Sequence, residues 1–103
     1  SGAMLETYLF AEILKSYWHN GKEAHFYYYR DLDQREIDLV IEGDESFFPV
    51  EFKKTGTPSM TAAKHFPIIE KLGKHLATGA VVCLVEKEIP LSSTVTAIPV
   101  GYL

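Results

Sequence analysis

The sequence predicts a small α/β domain: a mixed central sheet, made of an antiparallel meander plus a later strand, with helices flanking it. Three observations predict this. Residues 36–42 and 47–54 alternate apolar and polar side chains around a polar turn, as strands do. Residues 5–18 repeat apolar side chains at helical spacing, with Leu9, Phe10, Ile13, Leu14 and Tyr17 on one stripe. Residues 79–85 are an unbroken apolar run, which suits a strand covered on both faces.

In chain order, Ser1 and Gly2, with Ala3, read as a tag remnant, so that residues 4–103 form a single domain. The helix over 5–18 carries Glu6 in the middle of its apolar stripe. A carboxylate there serves the helix N-terminus, reaches water at the end of the stripe, or is held for a purpose. His19-Asn20-Gly21 ends that helix with residues able to take a left-handed cap. Residues 24–30 contain Phe26 and three successive tyrosines, a strand-forming composition. Asp31 to Gln34 is a polar turn that lacks the Asn-Gly or Asp-Gly pair of the tightest hairpins. Arg30 is expected to pair across it with Glu36, or with Asp31.

The second strand spans 36–42, with Ile37, Leu39 and Ile41 alternating with Glu36, Asp38 and Val40. The third runs from 47 to 53 or 54, and Pro49 inside it predicts an exposed hydrogen-bonding side, a bulge or a late start. Thr55 to Ser59 is a breaker cluster. A helix follows to about residue 72, split near Pro67, with Phe66, Ile69 and Leu72 as its later apolar stripe. After the apolar run come the solvated turn Glu86-Lys87-Glu88 and a short last strand over 95–100.

Composition narrows the function. The chain has 103 residues, a formal net charge of −4 and one cysteine. No apolar run approaches the length of about 18 residues that spans a bilayer, and no signal peptide is visible, so a cytoplasmic protein without a membrane partner is expected. The charge is unevenly spread. Residues 1–52 hold 4 basic and 11 acidic residues, whereas residues 53–75 hold five lysines and one glutamate. No G-x-x-x-x-G-K-[ST] phosphate loop occurs, so these residues are not themselves an ATPase.

The chemistry concentrates in Asp38, Glu51 and Lys53. Period-two alternation turns Glu51 and Lys53 to the same side, opposite Phe52. An Asp and a Glu on adjacent strands can hold one divalent cation, and hard oxygen ligands suit Mg2+ or Mn2+. The backbone carbonyl of Phe52 is a further candidate ligand, and Glu6 can close the shell from the first helix. Lys53 then stands where it can orient an attacking water or neutralise a phosphodiester. The plainer alternative is a pair of strand acids neutralised by Lys53.

The pattern D-(x)n-E-x-K on a meander, preceded by a helix bearing Glu, resembles the PD-(D/E)XK superfamily of restriction endonuclease-like proteins. Within it, G-A-M-L-E-T-Y-L-F-A-E-I-L-K, Y-Y-Y-R-D-L-D-Q-R-E-I-D-L-V-I, F-P-V-E-F-K-K and the closing V-T-A-I-P-V are similar to the nuclease-like C-terminal domain of bacterial and archaeal AAA+ type ATPases. The resemblance implies a restriction endonuclease-like fold, metal-dependent hydrolysis of DNA, and Glu6, Asp38, Glu51 and Lys53 at the motif positions. It also implies an ATPase domain upstream in a longer chain. Ile37 stands where the superfamily name places proline. No Gln follows in the helix after E-x-K, so Lys54, Lys64 and His65 are the residues expected to face substrate. Homodimers are expected from the same resemblance, through an edge bearing Pro49 or residues 94–100. The rival expectation is a catalytically silent DNA- or protein-binding module attached to an ATPase.

Overall fold

The alternating stretches become strands, because β-branched and aromatic side chains fit a pleated, half-buried surface. The computed structural model describes residues 25–102. Strands β1 (His25–Arg30), β2 (Glu36–Glu42) and β3 (Ser46–Phe52) form the expected antiparallel meander. Asp31 organises the first turn. Its carboxylate accepts the N–H of Asp33 at 2.9 Å and of Arg35 at 3.1 Å, and it pairs with the Arg35 guanidinium at 2.8 Å. This Asx-type anchor replaces the Asn-Gly pair that the turn lacks. Arg30 reaches Glu36 across the hairpin at 3.5 Å.

The rest of the sheet comes from β4 (His75–Leu76), β5 (Gly79–Cys83), β6 (Ile89–Pro90) and β7 (Val95–Pro99). The order is β1-β2-β3-β5-β7-β6, and β4 lies beside the start of β3. β3, β5 and β7 are parallel, so the meander continues into a parallel block. The domain is thus of mixed α/β class with an open, mixed seven-stranded sheet. All five residues of β5 are buried, as its unbroken apolar run requires.

The helix expected up to residue 72 is instead two 3₁₀ segments, Met60–Ala63 and Phe66–Leu72. Pro67 lacks an N–H and enters the second segment in its first turn, and Gly73 closes it at φ 105°. Ala63, Phe66 and Ile69 are buried, a spacing that matches the three residues per turn of a 3₁₀ helix. Leu72, expected on the same stripe, is exposed instead. The helix over 5–18 lies outside the described residues.

Apolar clusters occupy both faces of the sheet. Ile37, Val40, Phe47, Val81 and Cys83 pack with Phe66 and Ile69 of the 3₁₀ layer. Leu39, Ile41, Val50, Ala80 and Val82 form the other cluster, flanked by Phe48, Phe52 and Ile98. Pro49 is buried in the central strand β3, not on an edge. The reason is local. Phe47 C=O accepts from Ala77 N–H at 2.9 Å and Lys53 N–H donates to Val82 C=O at 2.9 Å, so odd-numbered positions of β3 face β4 and β5. Pro49 meets the gap where the partner changes from β4 to β5, and no donor is needed there. Dimer pairing through an edge at Pro49 is therefore ruled out by its place in the sheet. No helix of the described residues is long and apolar enough to cross a membrane.

Candidate functional site

Asp38 and Glu51 meet where the pairing of their strands ends. The β2–β3 register runs from Glu42↔Phe47 to Leu39↔Val50. One step further, side chains take over from the backbone. The Glu51 carboxylate accepts the Asp38 N–H at 3.0 Å, and the Asp38 carboxylate accepts the Phe52 N–H at 2.8 Å. Each acid holds the other's strand.

A β-bulge aims Asp38 at this position. Tyr27 pairs with Val40 and Tyr29 with Ile37, so β2 takes three steps while β1 takes two. The extra residue falls at Asp38–Leu39. Bulges of this kind re-aim a side chain and are common beside active sites. The bulge also resets the phase of β2. Ile37 joins Val40 in one cluster, while Leu39 and Ile41 join the other. The simple alternation of Ile37, Leu39 and Ile41 on one face is thus corrected. The sequence holds a faint signal of this, since Leu39, Val40 and Ile41 are apolar in succession and all buried.

Burial pushes the half-buried Glu51 carboxyl up to about 8, with a side-chain hydrogen bond to Asp38 as the next cause. The Asp38 N–H opposes this, the Asp38 charge reinforces it, and the Lys53 ammonium lowers it most weakly. At neutral pH the Glu51 carboxyl therefore keeps its proton. Lys53 and Lys54 are exposed just beyond β3. With Phe52, Val82, Cys83, Leu84 and Val100 they line a cleft of about 480 Å³, a feature that spacing alone does not reveal.

The structure brings Asp38, Glu51 and the Phe52 backbone together, with Lys53 close enough for its charge to act on Glu51. Lys64 and His65 sit in the link between the 3₁₀ segments. Among the described residues, no hydrogen bond or ion pair ties either to the acids. Glu6 lies outside the described residues. Among the described residues, no group of three or more His, Cys, Asp or Glu converges, so the two acids are the site's carboxylates there.

Fold and site define a mixed-sheet α/β domain with a bulge-positioned pair of acids at the end of its meander. The chain belongs to the family described as a domain of unknown function, DUF4143, whose profile matches residues 1–103. It is 34% identical over 77 residues to the uncharacterized protein Mb2031c of Mycobacterium bovis and, to the same extent, to the uncharacterized protein Rv2008c of Mycobacterium tuberculosis. Those alignments cover 75% of this chain and 17% of each relative, so the chain matches a small part of longer proteins. No solved structure matches it.

Proposed function

We propose that the chain is a restriction endonuclease-like domain of PD-(D/E)XK type that hydrolyses DNA phosphodiesters with Mg2+ or Mn2+. The observation that carries this reading is the reciprocal hold of Asp38 and Glu51 beside Lys53. Two carboxyls held this close form a donor set that a divalent cation can take over, since the cation replaces the Glu51 proton. Asp38 and Glu51 would hold it, with the Phe52 carbonyl and Glu6 as further oxygen ligands. When bound, the cation would offset the charge that develops on the phosphodiester. Lys53 would orient the attacking water and balance charge on the phosphate, with Lys54, Lys64 and His65 along the path of the nucleic acid.

In the longer proteins this domain would accompany an ATPase and act in the cytoplasm, a reading compatible with the free, buried thiol of Cys83. Pairing of two copies would use an outer strand of the sheet, and light scattering reports it.

One observation favours a second reading. Each carboxylate already accepts a backbone N–H, which also suits a purely structural clasp in a silent DNA- or protein-binding module. Incubation of plasmid, single-stranded and branched DNA with Mn2+ separates the two. Cleavage that disappears in Lys53→Ala supports the nuclease. DNA retention without cleavage by the unaltered protein supports the module.

A further inference from the structure

The cleft of about 480 Å³ lies beside the acids without including them. It opens where the parallel strands end. Phe52 and Cys83 are the last residues of β3 and β5, and Val100 directly follows β7. Open α/β sheets take ligands in crevices outside the carboxyl ends of their strands. The walls are tied by backbone: Leu84 N–H donates to Thr55 C=O at 2.8 Å and Lys53 N–H to Val82 C=O at 2.9 Å.

The lining has two characters. Lys53 and Lys54 are exposed cations, whereas Phe52, Val82, Leu84 and Val100 are apolar. Leu84 is 52% exposed, so much of its apolar surface is open at the cleft. Phe52 joins cleft to acids, because it lines the one while its N–H is bound to Asp38 at 2.8 Å. The volume falls in the range of small-molecule pockets.

We propose that this cleft holds one unpaired nucleobase of the strand presented to Asp38 and Glu51, so that the substrate is single-stranded or branched DNA and not intact duplex; this rests on reading the acids as a phosphodiester site. An apolar hollow next to two ammonium groups matches a base next to its own phosphate. Aromatic and apolar walls take any base by its flat face. A base stacked in a duplex reaches such a hollow only after costly extrusion. The charge at the cleft is that of Lys53 and Lys54, whereas Lys74 pairs with Glu42 and Lys71 lies over the Tyr29 ring.

The test is fluorescence anisotropy with a fluorescein-labelled oligothymidine and a blunt duplex of the same length, in EDTA. The single strand should bind at least about fivefold more tightly. Leu84→Ser should erase that preference, and circular dichroism should show its fold intact. Lys54→Ala should reduce the single-strand slope of log K against log salt by about 0.7. Equal or tighter binding of duplex overturns the proposal, as does a preference unchanged in Leu84→Ser or a slope unchanged in Lys54→Ala. Because the assay contains no free divalent metal, its failure is distinct from that of the nuclease reading. A protein that prefers single strands yet never cleaves keeps the cleft and loses the metal chemistry. One that cleaves without the preference does the reverse.

Discussion

Asp38 and Glu51 cross-brace β2 and β3 at the point where the ladder stops, each carboxylate taking a backbone N–H from the opposite strand at 3.0 and 2.8 Å. This relationship makes the same two groups structural and reactive. The brace replaces lost ladder bonds, which keeps the bulged end of β2 docked. It also sets the half-buried Glu51 carboxyl against the exposed Asp38 side chain, where burial first and the Asp38 contact next favour its protonated form.

The first consequence is a stability that falls with rising pH. Glu51 is raised to about 8 in the folded chain, from an ordinary value of 4.5. Below 4.5 the carboxyl is protonated in both states. Between 4.5 and about 8 the folded state binds the proton and the unfolded state does not, so unfolding becomes easier as pH rises. Above about 8 the penalty is constant. Urea melts from pH 5 to pH 9 should show this decline, and Glu51→Gln should flatten it. A midpoint that climbs through that window in the unaltered protein would contradict the assignment.

The second consequence concerns metal. A cation at this pair must displace the Glu51 proton, so binding should release a proton at pH 7 and tighten with pH until about 8. Titration calorimetry with Mg2+ or Mn2+ in two buffers of different ionisation enthalpy reads both effects. Asp38→Ala should abolish the heat. Binding that survives this substitution would place the cation elsewhere.

Catalysis, in turn, should depend on Lys53. If it orients the attacking water, Lys53→Ala should lower the cleavage rate by about a hundredfold or more. Because Lys53 is exposed and contributes only its backbone N–H to the sheet, melting should hardly change. A rate unchanged within about threefold would remove Lys53 from the chemistry.

Much of this was legible in the chain because it follows from period. The strands of the meander and β5 declare themselves by alternation or by an unbroken apolar run. Asp38, Glu51 and Lys53 stand out because charge on such strands needs a partner. What escapes is set by contacts distant in sequence. The bulge at Asp38–Leu39 exists only relative to Tyr27 and Tyr29 of β1. The two-residue strands β4 and β6 are too short to carry a period. Pro49 reads as an edge residue until the change of partner from β4 to β5 is known. The proton on Glu51 depends on burial, which spacing does not encode.

A core test bears on the 3₁₀ layer. Ile69 is fully buried within the second 3₁₀ segment, against the cluster that contains Val81 and Cys83. Ile69→Ala should cost about 2–5 kcal/mol of stability by loss of burial and by the cavity left behind. The solvent-facing Leu72 on the same segment should tolerate alanine within about 0.5 kcal/mol. Denaturant melts of the two variants compare them directly, and equal costs would mean that the segment does not pack as described.

The packing of Phe66 on the start of β5 yields the last test. Gly79 opens β5 against the Phe66 ring. A Cβ there would stand 2.7 and 2.8 Å from two carbons of the Phe66 ring and 3.1 Å from the Pro49 carbonyl oxygen. The ring belongs to the buried 3₁₀ layer and the carbonyl to the central strand, so neither can retreat without disturbing packing. The clash also falls where β3 changes partner, a place already lacking a ladder bond at Pro49. Gly79→Ala should therefore destabilise the fold by about 1–3 kcal/mol, the usual cost of overpacking a dense core. Adding Phe66→Leu should recover part of that loss, because a smaller side chain vacates the space the new methyl needs. If Gly79→Ala melts as the unaltered protein does, or if the double variant is no better than the sum of the two single costs, the 3₁₀ layer does not press on β5 at this point.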